Sequence, residues 1–169
     1  MTFQKDGLFD SLSCADNLRF PLTERLVLTT AEREKRVEKA LEEVGLKGQG
    51  RLMVHEMSGG MQKRLGIARA LLFSPSVILY DEPSAGLDPI TARSINELIT
   101  QMRETHGMTI VVVTSDLNQA RQLCDQVGLL WKGKFEQVGG QTAMENSKNP
   151  AVHQFFHALG EGPLTEGLV

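Results

Sequence analysis

The sequence holds only two cysteines, Cys14 and Cys124, far apart and without metal-ligand spacing. That excludes a disulfide framework and a thiolate metal site, and it reads as two reduced thiols in a cytosolic protein. No apolar run approaches the ~20 residues that cross a bilayer. The amino terminus lacks the basic-then-apolar order of a signal peptide, so any membrane connection is expected to go through a partner. Positive charge is not in excess: 18 Lys and Arg stand against 21 Asp and Glu, a net charge of −3, which provides no overall basic footprint for nucleic acid. Internal repeats and heptads are missing as well. What is there is 169 residues, 41% apolar and 23% charged, one domain's worth of globular chain with enough length to bury a core.

The segment from Gln4 to Pro21 mixes Leu8, Phe9, Leu12 and Leu18 with Gly, Asp, Ser and Asn, and predicts a loop followed by short helical turns. Thr29-Thr30-Ala31-Glu32 has the spacing of a capping box and opens a helix with the apolar stripe Val37, Ala40, Leu41 and Val44, stopped by Gly45. Ser58 caps a second helix that ends before Pro75. The rhythm then becomes βαβ. Val77–Tyr80 and Thr109–Thr114 read as strands covered on both faces, flanking a helix over Thr91–Glu104. Asp116 caps a helix through Leu117, Ala120 and Leu123. Val127–Trp131 and Phe135–Val138 form a hairpin, and Asn149-Pro150 opens a short tail helix. This alternation predicts an α/β domain with a largely parallel sheet.

Two stretches carry chemistry. Val77–Tyr80 ends in Asp81 and Glu82, and ligands in open α/β sheets bind at the carboxyl ends of strands. Asp81 is placed to hold Mg²⁺, directly or through water, and Glu82 to polarise an attacking water. Two solvated acids ending a buried strand are the ordinary alternative. Ser58-Gly59-Gly60 at a helix start offers backbone amides and the positive end of the helix dipole to an anion. A capped turn is the alternative there. The two stretches in order, between Met57 and Pro83, make a far more specific signal than either alone.

At this point the chain resembles the ATP-binding-cassette (ABC) ATPases. Met57-Ser58-Gly59-Gly60-Met61-Gln62 looks like their signature motif, with Met for Leu and an extra Met before Gln. Val77–Glu82 looks like the Walker B strand, Ser84–Asp88 like the D-loop and Phe3-Gln4 like the Q-loop. The resemblance implies ATP and Mg²⁺ as cofactors, with Asp81 and Gln4 at the metal and Glu82 as the catalytic base. It further implies that Gln4, Ser58, Gly59, Gly60, Met61 and Asp88 contact nucleotide, in part across a homodimer. Leu8, Phe9, Leu12 and Phe20 would line a groove for a permease, or pack within the helical subdomain. Gly7–Leu12, Asn17, Pro21-Leu22, the Met61 of the signature and the Asn149–Pro163 tail resemble the ATPases of Mla- and Mce-type phospholipid transport systems.

The chain departs from the family pattern twice. A P-loop requires GxxxxGK followed by Ser or Thr, set between a strand and a helix. The near match Gly128–Phe135 ends in a residue without a hydroxyl and lies across a predicted hairpin, so it is rejected. The family also places a His after the strand that follows Walker B, where this chain has Ser115. His55, His106, His153 and His157 are all wrongly placed to substitute. A hydroxyl is too short to brace phosphate and water as an imidazole does, which predicts slow hydrolysis. The i,i+4 pair His153 and His157 has no third ligand and reads as part of an amphipathic tail helix.

The fold expected is therefore α/β: a partial P-loop NTPase (RecA-like) parallel sheet with an α-helical subdomain, lacking the amino-terminal strands and the P-loop. Its expected parts are a Q-loop segment (1–10), a helical signature subdomain (11–57), a core remainder (58–145) and a tail helix (146–169). The expected function is the ATP-hydrolysing subunit of an ABC transporter, coupled to an integral-membrane permease, with phospholipid the candidate cargo, and peripheral to the cytoplasmic membrane face. The chain on its own is expected to be inactive, and neither nucleic acid nor direct membrane insertion is expected. Two rival readings are a soluble ABC protein acting on DNA or ribosomes and a non-catalytic interaction fragment.

Overall fold

Residues 7–166 are described by the structure, a computed structural model, as two units, one running to Ser115 and the other beginning at Asp116. Phe3 and Gln4, where the sequence places the Q-loop, lie outside the described residues. The first unit orders its elements as α1 (Cys14–Arg25), α2 (Thr30–Glu43), a 3₁₀ turn (Val54–Glu56), α3 (Gly59–Leu71), β1 (Val77–Asp81), α4 (Pro89–His106) and β2 (Thr109–Val113).

Helix α1 corrects the expectation of a loop with short turns. Ser13 accepts a hydrogen bond from the Asp16 amide at 3.1 Å and donates its hydroxyl to the Asp16 carboxylate at 2.5 Å, closing the first turn. The helix then runs through Pro21, a residue that interior helices tolerate poorly. Tertiary burial outweighs that penalty: Cys14, Leu18 and Leu22 are fully buried. Burial also pushes the Cys14 thiol up to about 11, so it stays protonated and inert. Arg19 then clamps α1 to α2 with a forked pair to Glu34 at 2.7 and 2.6 Å.

The capping box forms as expected, with Thr29 and Glu32 satisfying each other's backbone amides. Val37, Ala40, Leu41 and Val44 are buried, and Gly45 turns the chain at φ 74°. Helix α3 buries Leu65, Ile67, Ala68 and Leu71 and packs on α1, α2 and α4. Arg64 strengthens this arrangement, donating to the Val44 carbonyl and to the Ser94 hydroxyl of α4, both at 2.8 Å. Helix α4 starts two residues earlier than the sequence suggests, because Pro89 takes the first helical position and Asp88 caps it.

Strands β1 and β2 pair in parallel, from Val77↔Thr109 to Asp81↔Val113. The expectation that both strands are covered on both faces fails. Ile78 and Tyr80 are buried, but Val77, Leu79, Val111 and Val113 are 44–59% exposed. Alternation puts these four on one face of the two-stranded sheet. Among the described residues that face has no covering layer deep enough to bury it.

The second unit contains α5 (Leu117–Leu123), β3 (Val127–Trp131), β4 (Lys134–Gly139), α6 (Gln141–Glu145) and α7 (Pro150–Phe156). Asp116 and Asn149 cap α5 and α7 as read from the sequence. The hairpin turns at Lys132 and Gly133, both with positive φ, as a two-residue type I′ turn requires. In this antiparallel ladder Gly128 pairs with Val138 and Leu130 with Phe135, so the P-loop near match spans two hairpin strands and is no strand-loop-helix cradle. Met144, Val152 and Phe156 form the core, with Leu117, Val127, Leu129 and Phe155 against it. His153 and His157 stack at 4.2 Å on α7, and His157 Nδ1 lies 2.9 Å from the His153 carbonyl. No cluster of three or more His, Cys, Asp or Glu able to hold a metal occurs among the described residues.

Candidate functional site

Parallel pairing in register brings the carboxyl ends of β1 and β2 together, and Glu82 is the first residue past β1. Its amide donates to the Val113 carbonyl at 2.9 Å. Its Oε1 accepts from the Ser115 amide at 2.8 Å and from the Ser115 hydroxyl at 3.0 Å. The Thr114 hydroxyl donates to Oε2 at 3.2 Å. Glu82 holds φ 46°, a left-handed conformation that non-glycine residues seldom adopt. Backbone of this kind concentrates at functional sites, where the surroundings hold it in place. Asp81, half-buried, ends β1 one residue earlier.

Past Glu82 the chain makes two tight turns, with Ala85 bonded to the Glu82 carbonyl and Leu87 to that of Ser84. Gly86 has φ 78°. These turns deliver Asp88 to the start of α4, where its Oδ1 accepts from the amides of Ile90 and Thr91, each at 3.0 Å. Hydrogen bonds from Thr91, side chain and backbone, hold the Asp88 carboxyl below its usual range.

Residues 57–62, which the sequence reading likens to a signature motif, form a second grouping. Ser58 caps α3 by accepting from the Met61 amide at 3.3 Å, and Gln62 donates its side-chain amide to the carbonyls of Val54 and Met57. The amides of Gly59 and Gly60 lie in the first turn and have no acceptor within the helix. The structure adds a packing reason for both glycines. A Cβ at Gly60 would lie 2.7 Å from Thr91 Cγ2, and one at Gly59 would lie 3.2 Å from Leu87 Cδ2. The signature helix thus abuts the turn that carries Asp88.

The site brings Glu82 and Ser115 into direct contact and joins Gly59 and Gly60 to the Asp88 turn. Two contributors escaped the sequence reading, Thr114 and Thr91, and the packing of Leu87, read only as part of the Ser84–Asp88 stretch, escaped it too. The register of β1 on β2 and the seating of α3 on α4 create those contacts, and neither leaves a local signal.

The family model that matches is that of the ABC transporter, over residues 1–85. The chain belongs to the ABC transporter family. It is 35% identical over 164 residues to the intermembrane phospholipid transport system ATP-binding protein MlaF of Escherichia coli K12, covering 97% of this chain and 61% of that protein. It is 37% identical over 162 residues to the probable ribonucleotide transport ATP-binding protein mkl of Mycobacterium leprae, covering 96% of this chain and 47% of that one. A dimeric, post-hydrolysis structure of the ATP-binding cassette MJ0796 bound to ADP and phosphate superposes with a TM-score of 0.72 at 34% identity, over 82% of this chain and 61% of the other. The α/β architecture of this ABC chain is thus that of solved cassettes, and its resemblance to Mla-type phospholipid transport ATPases is supported. The chain spans about 61% of the length of MlaF. No helix among the described residues is long and apolar enough to cross a membrane.

Proposed function

We propose that this ABC chain serves as part of an ATP-hydrolysing transporter subunit, with phospholipid as the transported class. The observation that carries this reading is the Glu82 carboxylate, fixed at the joined ends of β1 and β2 beside Asp81. Glu82 accepts the hydrogen bond, and then the proton, of the water that attacks the terminal phosphate. Ser115 belongs to the catalytic grouping through Glu82. Met57-Ser58-Gly59-Gly60-Met61 supplies helix-terminal amides to a nucleotide phosphate, and Asp88 works beside it in a head-to-tail homodimer.

A single half-buried carboxylate at a strand end suits Mg²⁺ that arrives with phosphates, because that ion takes one or two carboxylates and fills its shell with phosphate oxygens and water. Asp81 would hold it, with Gln4 as the second protein group. When bound, the ion neutralises charge on the transferring phosphoryl group. The segmentation proposed is 1–10 for the Q-loop, 11–57 for the helical subdomain, 58–145 for the core and 146–169 for the tail.

An integral-membrane permease is the proposed partner, which places the subunit at the cytoplasmic face of the membrane. Phe9 and Phe20 support this: they form an exposed edge-to-face pair with centroids 5.1 Å apart, and Arg69 lies over Phe9. An exposed aromatic pair with a guanidinium beside it is the kind of surface that partners bury. The test is Glu82→Gln in the transporter assembled with its permease. Hydrolysis should collapse while ATP is retained, and an ATP-trapped dimer should accumulate on size exclusion. Hydrolysis at the parent rate would overturn the assignment.

A further inference from the structure

The polar contacts of Glu82 divide unevenly between its two carboxylate oxygens. Oε1 accepts two hydrogen bonds, from the Ser115 amide and hydroxyl at 2.8 and 3.0 Å, and a carboxylate oxygen has about two lone-pair directions. Oε2 accepts one, from Thr114 at the longer distance of 3.2 Å. With the amide bond to Val113, three consecutive residues at the end of β2 grip both the backbone and the side chain of Glu82. Glu82 is in the left-handed region, a strained conformation for a residue with a side chain that needs such a grip to persist. Ser115 itself is exposed, so water reaches this end of the site.

We propose that Ser115 is a positioning residue that saturates Glu82 Oε1 and so leaves Oε2 as the oxygen that meets the attacking water. This rests on the reading of Glu82 as the base. Serine here does more than leave out an imidazole: its hydroxyl and amide together act as a two-point clamp on one oxygen. The carboxylate is thereby ordered before substrate arrives, and reorganisation during the reaction is reduced. Thr114, on the longer bond, is the contact that yields when water takes its place on Oε2.

The test has two arms. In the chain of residues 1–169, NMR relaxation reports the order of the Glu82 side-chain methylenes. Ser115→Ala should lower that order while leaving the fold's amide spectrum intact, and Ser115→Thr should restore it. In the ATP-hydrolysing assembly, Ser115→Ala should lower the turnover number about ten- to a hundredfold, with KM for ATP unchanged and Ser115→Thr rescuing. Thr114→Val should cost less than Ser115→Ala. Unchanged side-chain order, or an unchanged turnover number in an assembly that Glu82→Gln inactivates, overturns the proposal. If Glu82→Gln itself hydrolyses ATP at the parent rate, the reading of Glu82 as base fails, and the role given to Ser115 falls with it.

Discussion

Gly60→Ala adds one methyl group where the ideal Cβ lies 2.7 Å from Thr91 Cγ2. Carbon atoms in contact rest at about 3.5–4.0 Å, so the two groups must separate by about 1 Å. The helices around them resist, because Arg64 on α3 is bonded both to Ser94 of α4 and to the end of α2. Overpacking of this kind costs about 1–3 kcal/mol. Helix propensity works in the other direction, since Ala is favoured over Gly by at most about 1 kcal/mol. The net expectation is a loss of about 1–2 kcal/mol. Thr91→Ser removes the offending methyl and keeps the hydroxyl. In that background Gly60→Ala should become neutral or slightly stabilising, so the two substitutions should couple by about 1–3 kcal/mol. Urea unfolding of the four proteins, followed by circular dichroism and compared at equal m-values, measures the cycle. Costs that add within about 0.5 kcal/mol would show that Thr91 does not set the size limit at Gly60.

Asn17 is fully buried, accepts from the Phe9 amide at 2.9 Å and donates to the carbonyls of Phe9 and Ser13, so Asn17→Ala should cost about 1–3 kcal/mol for the groups left unpaired. Hydrogen exchange at the Phe9 amide should accelerate, and unchanged protection would contradict this. The Tyr80 hydroxyl is buried with no hydrogen-bond partner among the described residues, so Tyr80→Phe should leave the denaturation midpoint unchanged or raise stability by up to about 1 kcal/mol. Hydrogen bonding holds the carboxyls of Asp16 (chiefly Ser13, then Arg19) and Glu34 (chiefly Arg19) below their ordinary values. Their contribution is therefore present above the unfolded carboxylate range near pH ~4 and is lost as pH falls through the lowered folded values. Arg19→Met should cost up to about 1 kcal/mol at neutral pH, given partial exposure, and less in acid; a penalty independent of pH refutes the pairing. Buried Gln154 accepts from the Leu164 amide at 2.7 Å and donates to the Leu159 carbonyl and the Thr165 hydroxyl. Gln154→Ala should remove exchange protection from Leu164 while α4 keeps its own.

Local chemistry alone determined a good deal of this molecule. The Thr29–Glu32 capping box, the Ser58, Asp116 and Asn149 caps, the αL turn at Gly45 and the two-residue hairpin turn depend on residues a few positions apart. Glu82 was legible for the same reason, as an acid ending an apolar strand. Tertiary structure decided what depends on partners distant in sequence. Helix α1 exists despite Pro21 because Leu18 and Leu22 find a core, and no local pattern announces that. The grip of Thr114 and Ser115 on Glu82 requires β2 to lie parallel to β1 in one register, since a slip of one residue would turn every side chain to the other face. The exposure of Val77, Leu79, Val111 and Val113 departs from the expected cover, because an apolar run records what a strand can bury and not what the described residues place over it. The size limit at Gly60 is a property of how α3 seats on α4, and only the packed helices define it.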